Sequence, residues 1–441
     1  MQVEKTELKP TQETSVLMID SGYFMSLASS LSRSFKKVYY YTPEDTEFKD
    51  VNRCVLGDGV EGIERLDDWE NPENIEDIDL FIVPDLGFAP KQKLLKSMGK
   101  PVWGSGDATY MEMSRTKFLK WVEELGLPVA PYTVVRGIRE LWEHLKTVER
   151  KWVKINKYRE QTETFFHINA EYSRPKLEGL AMKFGGLSEK PVFVIQDEID
   201  PAWEIGYDGW NINGGFPSQS FAGFEAKNEG YVGALLQYDE LADPVREINE
   251  KIVPFLKSCG YANFLSTEIR LKEENGELKP YFIDPTFRCA GLTMEHTQEN
   301  CTNLAECIWA GANGVMIRPE FKHTVAVEAT MHCAHDEDGW KVVKNPNHPM
   351  IKFDHYAEDE GYCHFPARKS DEVGVVLGLG DSVEEAFKNM QENFEVMKDS
   401  PVWISVEKFN DLFDQIKTME EQGFKFSDKP VPDASILVET A

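Results

Sequence analysis

No window of this sequence approaches the roughly 18 uninterrupted apolar residues that would cross a bilayer, so a membrane-spanning protein is not expected. The stretch 1–13 is polar and acidic and has no basic segment followed by an apolar run, so no secretory leader is expected either. Cysteine is sparse: seven residues, an odd number, none spaced as C-x-x-C. That excludes a disulfide scaffold and fits a reduced, cytoplasmic protein. His332-Cys333-Ala334-His335 has metal-ligand residue types but no second ligand cluster, and it reads as a strand running into a loop. Basic residues are outnumbered by acidic ones, 48 to 76, for a net charge of −28. A duplex-binding protein presents a basic face, so a large nucleic-acid interface is not expected, although a modified base remains open as a substrate. A small anion needs only a few cations gathered in one cleft. Also missing is any Ser–His or Cys–His pattern that marks a side-chain nucleophile.

What is present is a globular composition, 41% hydrophobic and 28% charged, over 441 residues, which predicts two to four domains. The first segment alternates strands at 15–20, 37–41, 79–84 and 101–104 with helical spacing at 22–35. Such alternation implies a parallel sheet covered on both faces. A long helix is predicted over 108–125, with Asp107 as N-cap and Gly126-Leu127-Pro128 as its stop. Strands at 132–135, 152–157 and 191–199 follow, with a helix at 138–148. Further helices are predicted at 244–259, 303–310, 383–397 and 406–422, and a strand at 324–332. Gly378-Leu379-Gly380 reads as a turn after a strand and not as a nucleotide loop.

The chemistry concentrates in Phe264-Leu-Ser-Thr-Glu268-Ile-Arg270, a turn at Asn275-Gly276, and Tyr281-Phe-Ile-Asp284-Pro-Thr286-Phe-Arg288. Strand alternation puts Glu268 and Arg270 on one face, and Asp284 and Thr286 on one face of the return strand. A strict two-residue turn pairs Glu268 with Ile283 and points Asp284 away; an odd-length loop with a glycine bulge makes Glu268 and Asp284 neighbours. The bulged version is the one expected here. Opposed carboxylates sit roughly 5 Å apart at Cβ. Such a pair is unfavourable unless it shares a proton or a cation, and magnesium takes one or two carboxylates with phosphate oxygens and water. Arg270 and Arg288 can offset phosphate charge. Read alone, the hairpin fits a surface Glu–Arg pair equally well.

This hairpin resembles the Mg-ATP hairpin of the ATP-grasp superfamily, with Asp284 as the second acid and Thr286 where asparagine is usual. Other segments resemble that family in the same order. Ser114-Arg-Thr-Lys117 followed by Gly126-Leu-Pro-Val-Ala-Pro131 is similar to the approach to the family's small subdomain, and the likeness implies that Lys117 touches phosphate. Lys154 stands where the family's second ATP lysine lies on a strand. Arg159-Glu-Gln-Thr162-Glu-Thr164 occupies the place of the glycine-rich flap but holds no glycine, so arginine or hydroxyl contacts would substitute for backbone ones. Val194-Ile-Gln196-Asp197-Glu198-Ile199 is similar to the strand linking the two subdomains. The likeness makes Gln196, Asp197, Glu198 and Ile199 adenine candidates and Glu204 a ribose candidate.

Within the superfamily the chain most resembles the glycinamide ribonucleotide synthetases (phosphoribosylamine–glycine ligases), including a tail lobe with Gly380-Asp-Ser-Val-Glu-Glu-Ala-Phe387. It departs from them where the amine substrate is held: Ile19-Asp20-Ser21-Gly22-Tyr23 replaces a Gly-Gly-Arg-Glu-His motif. Glu225-Ala-Lys227-Asn-Glu-Gly230 replaces a His-Lys-Arg loop, with Lys227 still placed to meet the γ-phosphate. The resemblance implies an α/β ATP-grasp architecture: an N-terminal parallel α/β domain at 1–107, an ATP-grasp core at 108–322 with its small subdomain at about 128–199, and a C-terminal lobe at 323–441. It implies ATP with magnesium or manganese, Glu268, Asp284 and Thr286 as metal ligands, and Arg288 with Lys227 at the transferring phosphoryl group. The implied reaction joins a small-molecule carboxylate to an amine through an acylphosphate. Alternatives are phosphoribosylamine–glycine ligase itself, a carboxylase or carbamoyl-forming enzyme, and a non-catalytic nucleotide-binding module.

Overall fold

A computed structural model describes residues 8–42, 56–157, 164–200, 203–226, 229–291, 294–333, 340–366 and 370–429. The chain divides into two compact units, the first made of Met1–Gly106, Gly206–Ser266 and Thr286–Ala441, the second of Asp107–Ile205 and Thr267–Pro285.

The first unit has a parallel half and an antiparallel half. Strands Val102–Gly104, Leu80–Val83, Ser15–Ile19, Lys37–Tyr41 and Ile63–Arg65 lie side by side in that order, every pair parallel. Val16, Leu17, Met18 and Ile19 are fully buried, as continuous apolar runs in a sheet covered on both faces require. Ala262 pairs antiparallel with Gly104 and joins this half to the second. There Gln219–Ala226, Gly230–Gln237, Val325–Cys333, Glu372–Gly380 and Ile351–Phe353 run in consecutive antiparallel pairs.

Gly378-Leu379-Gly380 corrects the sequence reading. These residues are the buried end of the strand Glu372–Gly380, not a turn after it. Helix Val383–Phe394, capped by the Ser382 hydroxyl on the Glu385 amide, lies directly on them. A Cβ on Gly378 would stand 2.0 Å from the Ala386 carbonyl oxygen. The glycine therefore serves close helix–strand packing. Gly378→Ala is expected to lower stability by about 1–3 kcal/mol or more, read from the urea midpoint; an unchanged midpoint would rule out the close approach.

The second unit holds a four-stranded antiparallel sheet in the order Tyr132–Arg136, Val192–Asp197, Lys151–Ile155, Thr164–His167. Alternate residues Val153, Ile155, Phe193 and Ile195 face a core closed by Leu141 and Leu145 of helix Gly137–Leu145 and by Leu177 and Leu180 of helix Ala170–Phe184. The predicted single helix over 108–125 is two: Thr109–Glu112 and Arg115–Glu124. Ser114 between them is extended (φ −141°, ψ 100°). The break is set from outside the helix. Asn156, just past the strand Lys151–Ile155, accepts the Arg115 amide on its carbonyl (3.2 Å) and the Thr116 amide on its side-chain oxygen (2.8 Å). Two otherwise unmet N-terminal donors are thereby satisfied. No helix among the described residues is long and apolar enough to cross a membrane.

Candidate active site

The hairpin is formed by strands Ala262–Glu274 and Glu277–Thr286. Its turn corrects the expected bulge. Asn275 (φ 56°) and Gly276 (φ 81°) both take positive φ and are the only residues between the strands. This is the two-residue turn whose twist matches that of its strands, and an Asn-Gly pair is its strongest signature. The two acids nonetheless lie in each other's field, since Asp284 is among the groups that push the Glu268 carboxyl up.

Around them the second unit gathers three acids and three cations. Asp284 forms an ion pair with Arg115, whose side chain is only 10% exposed. Glu204, on the strand Trp203–Ile212, meets Arg270 at 3.4 Å. Burial pushes the Glu268 carboxyl up to about 7, reinforced by Glu204 and Asp284 and opposed by Lys154 and Arg270. Burial also pulls the Lys154 ammonium down to about 8, helped by Arg115 and Arg270 and opposed by Asp284 and Glu268. Near neutral pH the cluster is therefore poised to lose a proton when a cation arrives and to gain one when an anion does.

The apolar side of the return strand completes the neighbourhood. Tyr281 and Ile283 pack with Ala130 and Ile199. Phe282 turns to the helix, meeting Phe118 and Trp121 at ring-centroid distances of 5.1 and 6.4 Å. Gln196 donates to the Ala130 carbonyl at 3.5 Å. Asp197 pairs with Lys151 at 2.6 Å, and Glu198 pairs with Arg150. With their carboxylates engaged, Asp197 and Glu198 leave Ile199, Ala130, Tyr281 and Ile283 as the apolar contact surface of this segment.

Lys117 is exposed on helix Arg115–Glu124; the buried cation of that segment is Arg115. Helical spacing carries the signal, because Arg115, Phe118, Leu119 and Val122 are buried at intervals of three and four. Arg159 and Lys227 lie outside the described residues. Thr286 ends the return strand, and with Arg288 it belongs to the first unit. There Arg288 Nε lies 3.8 Å from Asp85, and Asp85 also accepts the Ser21 hydroxyl at 2.8 Å. The neighbouring Asp20 accepts the amides of Gly22 and Phe24 and the Tyr40 hydroxyl on one oxygen. Burial, then Asp85, pushes its carboxyl up to about 6. Arg288 and the Asp20–Ser21 segment, far apart in sequence, thus converge on Asp85, a residue that no sequence motif singles out.

Among the described residues no group of three or more His, Cys, Asp and Glu side chains is arranged to hold a metal ion. The Glu268–Asp284 pair still fits magnesium chemically. Both are hard oxygen donors, and burial, then Glu204 and Asp284, holds the Glu268 proton in a way that a bound cation would relieve.

No protein-family model matches the sequence, and no curated protein matches it either. Solved structures do match. A phosphoribosylamine–glycine ligase from Thermotoga maritima aligns over 88% of this chain and 97% of its own, at 16% identity and a TM-score of 0.63. The chain has the ATP-grasp fold. Other ATP-grasp structures agree. The biotin carboxylase domain of the Hydrogenobacter thermophilus 2-oxoglutarate carboxylase, solved with MgADP, ADP and bicarbonate, aligns over 95% of this chain and 97% of its own (12% identity, TM-score 0.61). An N5-carboxyaminoimidazole synthetase from Staphylococcus aureus, solved with ADP, aligns over 88% and 99% (14% identity, TM-score 0.55). The mixed α/β architecture expected from the sequence is the one observed.

Proposed function

We propose that this chain is an ADP-forming ligase that joins a small-molecule carboxylate to an amine. The observation that carries the reading is the cluster of Lys154, Arg115 and Arg270 with Glu268, Asp284 and Glu204 in an ATP-grasp fold. Glu268 and Asp284, with Thr286 as a third oxygen, would hold magnesium, which neutralises phosphate charge when bound. Lys154 presents a half-buried ammonium to the polyphosphate, with Lys117, Arg159 and Lys227 as further phosphate contacts. Residues 196–199 take the adenine and Glu204 the ribose. Arg288 steadies the transferring phosphoryl group. A carboxylate oxygen attacks the γ-phosphorus and ADP leaves; the amine then attacks the acyl carbon, phosphate leaves, and the nitrogen loses a proton. Catalysis is by positioning and charge compensation, and no side-chain nucleophile is required. On this reading the ATP-grasp core spans 108–322 and the protein works in the cytoplasm.

A screen of amino acids and amines for ADP release, with mass spectrometry of the product, tests the proposal. Amine-dependent ADP release with an amide product is expected. A carboxylase reading is favoured by two of the three structures above, one of them solved with bicarbonate. ADP release that depends on bicarbonate and not on an amine would establish it in place of amide formation. Phosphoribosylamine with glycine enters the same screen, and the replaced motif at Ile19–Tyr23 leads us to expect no turnover with that pair.

A further inference from the structure

Cys301 and Cys307 flank the start of helix Leu304–Ala312 in the first unit. Both thiols reach one acceptor, the side-chain oxygen of Asn303, at 3.4 and 3.6 Å. The same oxygen takes the Glu320 amide at 2.9 Å, and the Asn303 amide nitrogen donates to the Arg318 carbonyl at 2.9 Å, so the pair is held by a fixed bracket. The two sulfurs differ in character. Cys301 is pulled down by the hydrogen bond from Cys307 and by the backbone amides of Asn303 and Glu320, whereas Cys307 is pushed up. Cys301 forms part of the wall of a pocket of about 210 Å³ that also contains Lys322 and the ion pair of Arg33 with Glu299. Cys301 thus lines the pocket, Cys307 does not, and the two thiols share one acceptor, the arrangement of an attacking and a resolving cysteine.

We propose that Cys301 and Cys307 are a redox-active dithiol that closes to an internal disulfide by exchange with a small disulfide entering this pocket. Cys301 gives its proton to water and its thiolate attacks one sulfur of the incoming disulfide; that S–S bond breaks, and one small thiolate leaves and takes up a proton. Cys307 gives its proton to water and attacks Cys301 Sγ, and the second small thiol leaves and takes up a proton. Two protein thiols are oxidised and one disulfide is reduced to two thiols. The inference does not depend on the ligase reading.

Oxidised glutathione on the full-length protein is the test. The count of free thiols under denaturing conditions is expected to fall from the seven in the sequence by the two of this pair, and a digest is expected to contain a 301–307 cross-link. Cys307→Ser should retain a glutathione on Cys301, formed about tenfold faster than any on Cys307 in Cys301→Ser. An unchanged thiol count, a cross-link through other cysteines, or equal modification of the two variants would overturn the proposal. The wild-type thiol count decides even where a variant folds poorly.

Discussion

Glu268→Gln is expected to abolish most ATP turnover while making the ligand-free protein more stable. The loss of turnover, roughly 10²–10³-fold, follows from removing one of two carboxylates that would face the phosphate-bound cation. The gain in stability follows from the same burial. Glu268 carries its proton up to about 7 in the folded chain against an ordinary value of 4.5. Folding therefore holds the proton more tightly than the unfolded chain does. That contribution is fully present below pH 4.5 and is lost as pH rises through 7, so above 7 the folded state bears the whole cost of a buried charge. Glutamine removes that cost, worth on the order of 1–3 kcal/mol, or a few degrees in melting temperature. The variant should match wild type near pH 4 and exceed it near pH 8, as read by thermal melts across pH without nucleotide. A variant less stable than wild type at pH 8 would mean that Glu268 is a structural partner and not a charge held ready for a ligand.

The parts of this site that local pattern determines were readable from sequence. Lys154 sits mid-strand between Val153 and Ile155, whose burial is plain from alternation, and a cation at such a position must face a cleft or a counter-charge. Glu268 and Asp284 stand out as acids inside strand patterns. Arg115 was also within reach, because helical spacing puts it on the apolar side and Lys117 on the wet side. Two features were not available to pattern. The break at Ser114 is made by Asn156, forty residues from Thr116, so nothing in the helical window marks it. How the two acids come into each other's field could not be read either: Asn275-Gly276 announces a tight turn, but alternation within each strand does not report pairing between strands. Asp85 was missed for a similar reason, since its partners Ser21 and Arg288 are supplied by remote segments.

Replacing Arg115 by methionine should act in the opposite direction to Glu268→Gln. The guanidinium offsets Asp284 in a pair whose side chains are 10% and 23% exposed. Without it, Asp284 and Glu268 lie in each other's field with Lys154 and Arg270 as the remaining cations, and Lys154 is already drawn down to about 8 by burial. Removing one partner of a buried pair costs up to 3–5 kcal/mol, and partial solvent access brings the expectation here to about 1–3 kcal/mol, several degrees of melting temperature. The loss should shrink when magnesium and ATP are added, because a bound cation takes over the neutralisation that Arg115 supplies in its absence. The double variant separates this account from a packing defect. If Arg115 acts by charge, Glu268→Gln must stabilise the Arg115→Met background by more than it stabilises wild type, a coupling of 0.5 kcal/mol or more in a double-mutant cycle at about pH 8. Simple additivity would assign Arg115 to helix packing and leave Asp284 without an electrostatic link to Glu268.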